Sequence, residues 1–124
     1  MRFEILIYNN AEFDAAIDGP DADPAVVAEW KDVHQQLQTE LRASGELVDS
    51  NEYSQELAVV VRADRAAPHR TRSVDGPFSE SKEWVGGFYT VECASLDRAT
   101  DLAGRFVEAR YSPVEVRQLV HPTA

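Results

Sequence analysis

The sequence is poor in cysteine, in basic residues and in long apolar runs, and each shortage excludes a class of protein. Its 124 residues contain one cysteine, Cys93, so an internal disulfide is impossible and a disulfide scaffold is excluded. The apolar run at residues 3–8 is too short for a signal peptide or a membrane-spanning helix. We therefore expect a cytoplasmic protein with no membrane partner.

Basic residues are outnumbered, with 12 Lys and Arg against 22 Asp and Glu, for a net charge of −10. Nucleic-acid binding depends on clustered Lys and Arg, so we expect no nucleic-acid partner. The excess is local, because residues 1–61 hold 13 acids and 3 bases whereas residues 62–124 hold 9 of each. We interpret the acidic half as a solvated surface.

The apolar spacing in the first half predicts one strand and one helix. Alternation over residues 2–8 predicts a strand that is covered on both faces. Residues 9–24 are rich in Asn, Asp, Gly and Pro, which predicts an irregular acidic loop. A helix with apolar residues at steps of three and four then begins at Asp23 and Pro24 and ends at Gly45.

The second half predicts more strands and one more helix in a single domain over residues 1–124. The expected strands are residues 46–53, 57–62, 70–74, 84–93 and 114–119. The helix begins at Ser95, is stopped by Pro113, and buries the stripe Leu96, Ala99, Leu102, Ala103, Phe106 and Ala109. The order β-α-β-β-(β)-α-β predicts an α+β, ferredoxin-like split βαβ sandwich with both helices on one face of an antiparallel sheet.

Two helices shield one face of such a sheet and leave the other uncovered. Apolar groups nevertheless occur on both sides of the sheet, from Leu6, Tyr8, Phe88 and either Val59 with Val61 or Ala58 with Val60. An exposed apolar face of several hundred Å² is rare on a soluble monomer. We therefore expect a homodimer formed sheet to sheet, with a cavity between or beside the sheets.

Residues 73–99, SVDGPFSESKEWVGGFYTVECASLDRA, carry the most specific pattern in the chain. They resemble the YCII-related family, within it the group named for its Asp-Gly-Pro-Phe signature, which stands here at residues 75–78. A charged segment at 80–83 and the Gly-Gly pair with its two aromatics at 86–89 follow as in that group. The strand FEILIY, the helix end LRASGEL and the closing VEVR are similar to the family as well.

The resemblance implies a dimeric α+β barrel and an active site with a His/Asp pair in a pocket. The candidate catalytic residues are His34, at the edge of the helix stripe and facing the sheet, and Asp75, at the end of a strand. An imidazole held by a carboxylate can move a proton near neutral pH. The alternative is structural, namely a packed helix-edge histidine and an aspartate that accepts backbone N–H groups in its own turn.

Further residues are candidates for shaping the pocket and binding a ligand: Tyr8, Phe78, Lys82, Glu83 and Phe88. Lys82 and Glu83 either position a carboxylate or phosphate of the ligand or pair with each other in solvent. The Gly86-Gly87 pair weakens its strand and so needs a reason, which is a bulge, the approach of a ligand or packing against Trp84.

Metal and cofactor motifs are absent from the sequence. The three histidines lack metal-ligand spacing, and no serine elbow, P-loop or dinucleotide fingerprint occurs, so we expect neither metal nor cofactor. The leading hypothesis is a cofactor-free small-molecule enzyme, of isomerase or lyase type, in which His34 and Asp75 transfer a proton. The alternative is a non-catalytic dimer that binds a ligand or regulates, since the family has been associated with transcription regulation.

Overall fold

The computed structural model describes residues 1–75 and 82–121. Its elements in chain order are β1 (Arg2–Asn10), α1 (Ala11–Ile17), α2 (Pro24–Ser44), β2 (Leu47–Glu52), β3 (Val59–Ala63), β4 (Thr71–Asp75), β5 (Glu83–Glu92), α3 (Leu96–Gly104), a 3-10 turn (Val107–Arg110) and β6 (Val114–Gln118). None of the helices in these ranges has the length and apolar character needed to span a bilayer.

Four strands form the main sheet in the order β2-β5-β1-β6, and each neighbouring pair is antiparallel. This order is that of the split βαβ fold, so the predicted α+β ferredoxin-like class is confirmed. Both long helices pack on one face, because alternate residues of β1 meet apolar residues of α2 and α3. The core that results contains Phe3, Ile5, Ile7, Leu37, Leu41, Tyr89, Val91, Cys93, Ala99, Leu102, Ala103 and Phe106.

The predicted helix boundaries of α2 are confirmed by its cap geometry. The Asp23 side chain accepts a hydrogen bond from the Ala25 N–H at 2.9 Å, and Pro24 occupies the first helical position. Gly45 ends the helix with φ of 77°, a left-handed conformation that glycine adopts without a Cβ clash. These two ends fix which face of α2 meets the sheet, and thereby where His34 lies.

The predicted irregular loop at residues 9–24 is wrong in its first part, which forms α1. Asn10 caps this helix by accepting a hydrogen bond from the Phe13 N–H at 2.9 Å. Phe13 is buried against Trp30 of α2, with ring centroids 5.9 Å apart. The helix forms because the turn residues Gly19 and Pro20 come after it, and because Phe13 gives it a side chain to bury.

The second predicted helix is also shorter than expected. It ends at Gly104, and the chain then continues into the 3-10 turn rather than to Pro113. The change of geometry shifts the buried face, so Glu108 is buried at 4% exposure whereas Ala109, predicted to be buried, is exposed. Leu96, at the start of the predicted stripe, is 54% exposed.

β3 and β4 pair with each other, as predicted, but they form a separate two-stranded sheet. Among the described elements, β3 and β4 make extensive contacts with each other and few with the rest. Val59 and Val61 are therefore 58% and 61% exposed, and they do not cover a face of the main sheet as expected from their apolar character.

The second face of the main sheet carries polar pairs among its apolar residues. The Tyr8 hydroxyl donates to Glu115 at 3.0 Å, and the Thr90 hydroxyl donates to Glu4 at 3.0 Å. The Phe88 ring lies 5.6 Å from that of Tyr53, centroid to centroid. This face is thus of mixed character, and dimerisation through it stays a prediction.

Candidate functional site

A pocket of about 390 Å³ opens between α2 and the strands β1, β2 and β5. Its size is that of a site for a small molecule. Apolar and aromatic side chains form part of the wall, and hydroxyl, amide and charged groups form the rest. The lining residues are Ile7, Asn9, Phe13, Trp30, Lys31, His34, Gln38, Ser50, Asn51, Glu52, Gly86, Gly87, Phe88, Tyr89 and Glu108.

His34 lies in the wall of this pocket with both ring nitrogens engaged. Nε2 is 2.7 Å from Glu108 Oε2, and Nδ1 is 2.9 Å from the Tyr89 hydroxyl. The ring also contacts aromatic side chains, with its centroid 5.1 Å from that of Phe106 and 6.1 Å from that of Trp30. These contacts hold the His34 ring in place. Its side chain is still 27% exposed, so the ring is open to the pocket.

The partners of His34 define its tautomer. Trp30 donates its indole N–H to the same Glu108 oxygen at 3.2 Å, so Oε2 acts as an acceptor and the Nε2–H of His34 donates to it. In the neutral imidazole, Nδ1 then accepts the Tyr89 O–H. The three side chains form one directed chain from Tyr89 through His34 to Glu108, which we call the Tyr–His–Glu chain.

Glu108 reaches this position because the 3-10 turn is tied down on both sides. Arg110 in the same turn makes two hydrogen bonds to Glu29 of α2, at 2.6 and 3.0 Å. The Ser112 hydroxyl donates to the backbone carbonyl of Tyr8 in β1. Asn10, which caps α1, also donates to the Tyr111 carbonyl at 2.8 Å. The turn is therefore fixed against α2 and β1 together.

The second oxygen of Glu108, Oε1, is buried and accepts no hydrogen bond from the described residues. A buried carboxylate oxygen without a donor costs free energy, so the fold retains Glu108 at some expense to stability. Such a group is more typical of a functional site than of a structural core, where an apolar side chain of similar size would avoid the cost.

Tyr89 joins the histidine to the polar end of the pocket. Burial raises the pKa of the Tyr89 hydroxyl, although hydrogen bonds from Gln38 and Ser50 lower it by a smaller amount. Gln38 also donates to the Ser50 hydroxyl at 3.1 Å. The tyrosine therefore keeps its proton at neutral pH, and its hydroxyl can donate to His34.

The Gly86-Gly87 pair is explained by the neighbouring strands. Gly86 is the extra residue of a bulge, because Ile7 pairs with Gly87 and Tyr8 with Val85. A Cβ on Gly87 would lie 2.8 Å from the backbone oxygen of Asn51 in β2. The bulge is thus confirmed among the three explanations, and it occurs in the strand segment that lines the pocket.

The structure brings together only part of the predicted site. His34 lines the pocket. Phe88 also borders it, although its ring lies beside Tyr53 on the second sheet face, where Tyr8 is bonded to Glu115. Lys82 is exposed beside the start of β5, and Glu83 is the first residue of that strand, opposite Asn10.

The catalytic and ligand-binding roles of the predicted residues all stay predictions, and two of these residues cannot be placed in full. Phe78 lies outside the described residues, and Asp75 is the last residue of β4 with a side chain that is outside them too. The His34–Asp75 pair therefore stays a prediction, and the carboxylate that the described part of the chain places on His34 belongs to Glu108.

Sequence reasoning missed Glu108, Tyr89 and Trp30 as members of the site. Tyr89 was available in the sequence, since it lies on the helix-facing side of its strand opposite Ile5. Glu108 had no comparable signal, because its burial depends on the end of α3 at Gly104. Within residues 1–75 and 82–121, no group of three His, Cys, Asp or Glu side chains is arranged to hold a metal ion.

Fold and pocket together define a small α+β protein of the split βαβ class, with a pocket of mixed polar and apolar lining beside its sheet. The model of the YCII-related domain matches residues 1–121, so the chain belongs to the YCII-related family. A similar protein is "Uncharacterized protein R00369" of Rhizobium meliloti (strain 1021), 46% identical over 57 residues. That match covers 44% of this chain and 46% of the relative, so the chain spans less than half of the curated protein it matches.

Proposed function

We propose that this YCII-related protein binds a small molecule in its pocket and transfers a proton to or from it, in a step of isomerase or lyase type. The observation that carries the proposal is the Tyr–His–Glu chain at the pocket wall, with distances of 2.9 and 2.7 Å. A base held by a second, buried acceptor is the arrangement that general acid–base catalysis uses.

The hydroxyl of Tyr89 is the group that meets the substrate in this proposal, because both nitrogens of His34 are already bonded within the protein. Tyr89 borders the pocket, and the substrate takes the place of the hydrogen bonds from Gln38 and Ser50 to its hydroxyl. As Tyr89 takes a proton from the substrate, it passes its own proton to Nδ1 of His34. The imidazolium that forms donates from Nε2 to Glu108, whose carboxylate stabilises it. The reverse sequence returns the proton to a different atom of the substrate, which completes an isomerisation.

The raised pKa of Tyr89 favours this coupled transfer over a stored phenolate. Burial disfavours a negative charge on the isolated hydroxyl, so the tyrosine gains one proton as it loses the other. His34 and Glu108 act through Tyr89 and are therefore positioning and relay residues.

The untested expectations about assembly and location belong to the same proposal. We propose a cytoplasmic homodimer, formed through the second sheet face, without nucleic-acid or membrane partners. That face has Tyr8, Phe88 and Tyr53 beside charged residues. Such a mixture of apolar and polar groups supports an interface between two subunits that are also stable apart.

A second candidate function is a ligand-binding or regulatory module without catalysis. The observation in its favour is that His34 has no free ring nitrogen, since Tyr89 and Glu108 occupy both. In that case the Tyr–His–Glu chain would be a rigid wall that orients a ligand by hydrogen bonds. The two candidates differ in whether protons exchange between the bound molecule and the protein.

Hydrogen–deuterium exchange into carbon acids tests the proposal without knowledge of the natural substrate. The protein is incubated in D₂O with a panel of small 2-oxo and 1,3-dicarbonyl compounds, and loss of the activated C–H signal is followed by proton NMR. We expect the native protein to accelerate exchange in at least one compound. Tyr89→Phe and His34→Ala should each slow it by roughly a hundredfold or more, the usual worth of general acid–base catalysis.

His69→Ala is the matched control, since His69 is an exposed histidine outside the pocket and its loss should leave the exchange rate unchanged. Equal exchange rates in the native protein and in His34→Ala, for every compound, would refute proton transfer. Saturable binding of a panel compound, with exchange no faster than in buffer, would favour the binding module.

A further inference from the structure

The hairpin formed by β3, β4 and the turn between them, residues 59–75, is a two-stranded sheet of its own, and we call it the arm. Within the described residues, its strands hydrogen-bond to each other and to no strand of the main sheet. Val59 and Val61 lie on one face of the ribbon and are both more than half exposed, at 58% and 61%. Apolar side chains on a projecting two-stranded ribbon are typical of a segment that packs against a partner.

The arm is basic, although the protein as a whole is strongly acidic. It holds four arginines, Arg62, Arg65, Arg70 and Arg72, against two aspartates, so its formal charge is +2 and that of the remaining chain is −12. Arg62 and Arg72 are directly opposite each other across the strand pair. Like charges in that position destabilise a hairpin unless an anionic group lies between them.

These four arginines are exposed, and none forms an ion pair within the described part of the chain. Five of the six arginines outside the arm form ion pairs, Arg42 being the exception within the described residues. Arg98, Arg105 and Arg110, for example, each pair with a glutamate at 2.6 to 2.9 Å. The arm therefore presents four arginines that have no ion-pair partner within the described part of the chain.

A complementary surface occurs on the same chain. Residues 12–23, the acidic segment, contain five acids and no base: Glu12, Asp14, Asp18, Asp21 and Asp23. No ion pair within the described residues neutralises them, and burial, together with the Asp18 charge, raises the pKa of Asp14. This segment belongs to α1 and the loop that leads to α2.

We propose that the arm docks on the acidic segment of a second copy of this chain. One chain carries both the cationic and the anionic surface, and neither surface forms an ion pair within the described residues. A two-fold pair of copies would form this contact twice and leave neither set exposed. Burial of Val59 and Val61 adds an apolar centre to the charged contact.

This contact is distinct from the sheet-to-sheet association proposed above, and it does not depend on the proposed proton transfer. A nucleic acid is a poorer occupant of the arm, because the −12 charge of the body repels a polyanion. The arm and the acidic segment, by contrast, attract each other between two identical molecules.

A charge-swap experiment tests the docking directly. The arm variant carries Arg62→Glu and Arg72→Glu, and the acidic variant carries Glu12→Lys, Asp18→Lys and Asp21→Lys, all at exposed side chains. Sedimentation velocity at about 0.05 M salt, where screening is weak, measures the self-association Kd. We expect each variant alone to associate at least about tenfold more weakly than the native protein.

An equimolar mixture of the two variants should regain the native Kd to within about threefold, since each reversed arm then meets a reversed acidic segment. The control variant, Lys31→Glu with Arg42→Glu, changes the net charge by the same amount as the arm variant, at exposed positions outside the arm. Its self-association Kd should be at most about threefold higher than that of the native protein. Far-UV circular dichroism checks that each variant is folded.

Three results would overturn the proposal. The first is a native protein that stays monomeric at about 50 μM in low salt, a concentration at which even weak specific contacts form. The second is an arm variant that associates as strongly as the control variant, which would leave the second sheet face as the interface. The third is a mixture of the two variants that associates no better than either alone.

Discussion

Replacement of Glu108 by glutamine changes the Tyr–His–Glu chain at its buried end while leaving its shape almost unaltered. The carboxylate oxygen Oε2 accepts hydrogen bonds from Trp30 at 3.2 Å and from His34 at 2.7 Å. Glutamine offers one carbonyl oxygen to the same two donors. Its amide nitrogen must then take the place of Oε1, which has no hydrogen-bond partner among the described residues.

The expected cost follows from these contacts. Each bond to a charged acceptor contributes about 1 kcal/mol more than a bond to a neutral one, and the buried amide N–H₂ without an acceptor costs roughly another 1–3 kcal/mol. Relief from burial of a charge offsets part of this sum. We expect Glu108→Gln to lower the free energy of unfolding by about 2 kcal/mol, and Glu108→Ala, which leaves both donors unpaired, by about 4 kcal/mol.

Urea unfolding at pH 7, followed by tryptophan fluorescence and by circular dichroism, measures these differences. The m-value should stay the same, so that a lower midpoint reports stability alone. Glu115→Gln is the matched control, because Glu115 accepts a hydrogen bond from Tyr8 on the partly solvated second sheet face. Its loss should cost less than about 1 kcal/mol.

A Glu108→Gln variant within about 0.5 kcal/mol of the native protein would refute the reasoning, since surface substitutions fall in that range. The hydrogen bonds to Trp30 and His34 would then contribute nothing that distinguishes a carboxylate from an amide.

Two further predictions concern the sheet and its edge. Gly87→Ala should lower the free energy of unfolding by about 1–3 kcal/mol, because its Cβ would lie 2.8 Å from the Asn51 backbone oxygen. Gly86→Ala should cost less, because its Cβ would meet a flexible side chain, and the thermal unfolding midpoints of the two variants test this difference. Hydrogen bonds from Arg98 lower the pKa of Glu46, so their contribution is present above the ordinary glutamate pKa of about 4.3 and is lost as the pH falls through the lower folded value. The native protein should therefore exceed Glu46→Gln in stability by about 1 kcal/mol at pH 7 and by nothing near pH 2, and a gap that persists at pH 2 would contradict this.

The sequence predicted the sheet and the helix caps because these depend on local chemistry. Alternation in β1 placed Ile5 and Ile7 on the buried face, and Asp23 with Pro24 marked the start of α2. His34 was placed at the edge of the helix and facing the sheet because helical spacing relates it to Leu37. Each of these features is decided within a few residues along the chain.

The site could not be predicted in full because its second half depends on a change in helical geometry. A helix that continued past Gly104 would bury Ala109 and expose Glu108, which is the reverse of what the 3-10 turn does. The tie that holds this turn, from Arg110 to Glu29, joins residues far apart in sequence. No local pattern reveals such a contact.

The separation of the arm from the sheet had a similar cause. Val59 and Val61 have the spacing of a buried strand, but their hydrogen-bond partner is β4 and not a strand of the main sheet. Apolar alternation indicates that a strand has a face to cover, and it does not say which molecule covers it.

The state of the His34 ring tests the central claim most directly, because the Tyr–His–Glu chain requires a proton on Nε2 and a hydrogen bond accepted by Nδ1. Long-range proton–nitrogen NMR reports both ring nitrogens, with the exposed His69 as an internal reference. We predict a protonated Nε2 and an unprotonated Nδ1 whose shift changes in Tyr89→Phe. A proton on Nδ1, or an Nδ1 shift that is the same with and without the Tyr89 hydroxyl, would contradict the account.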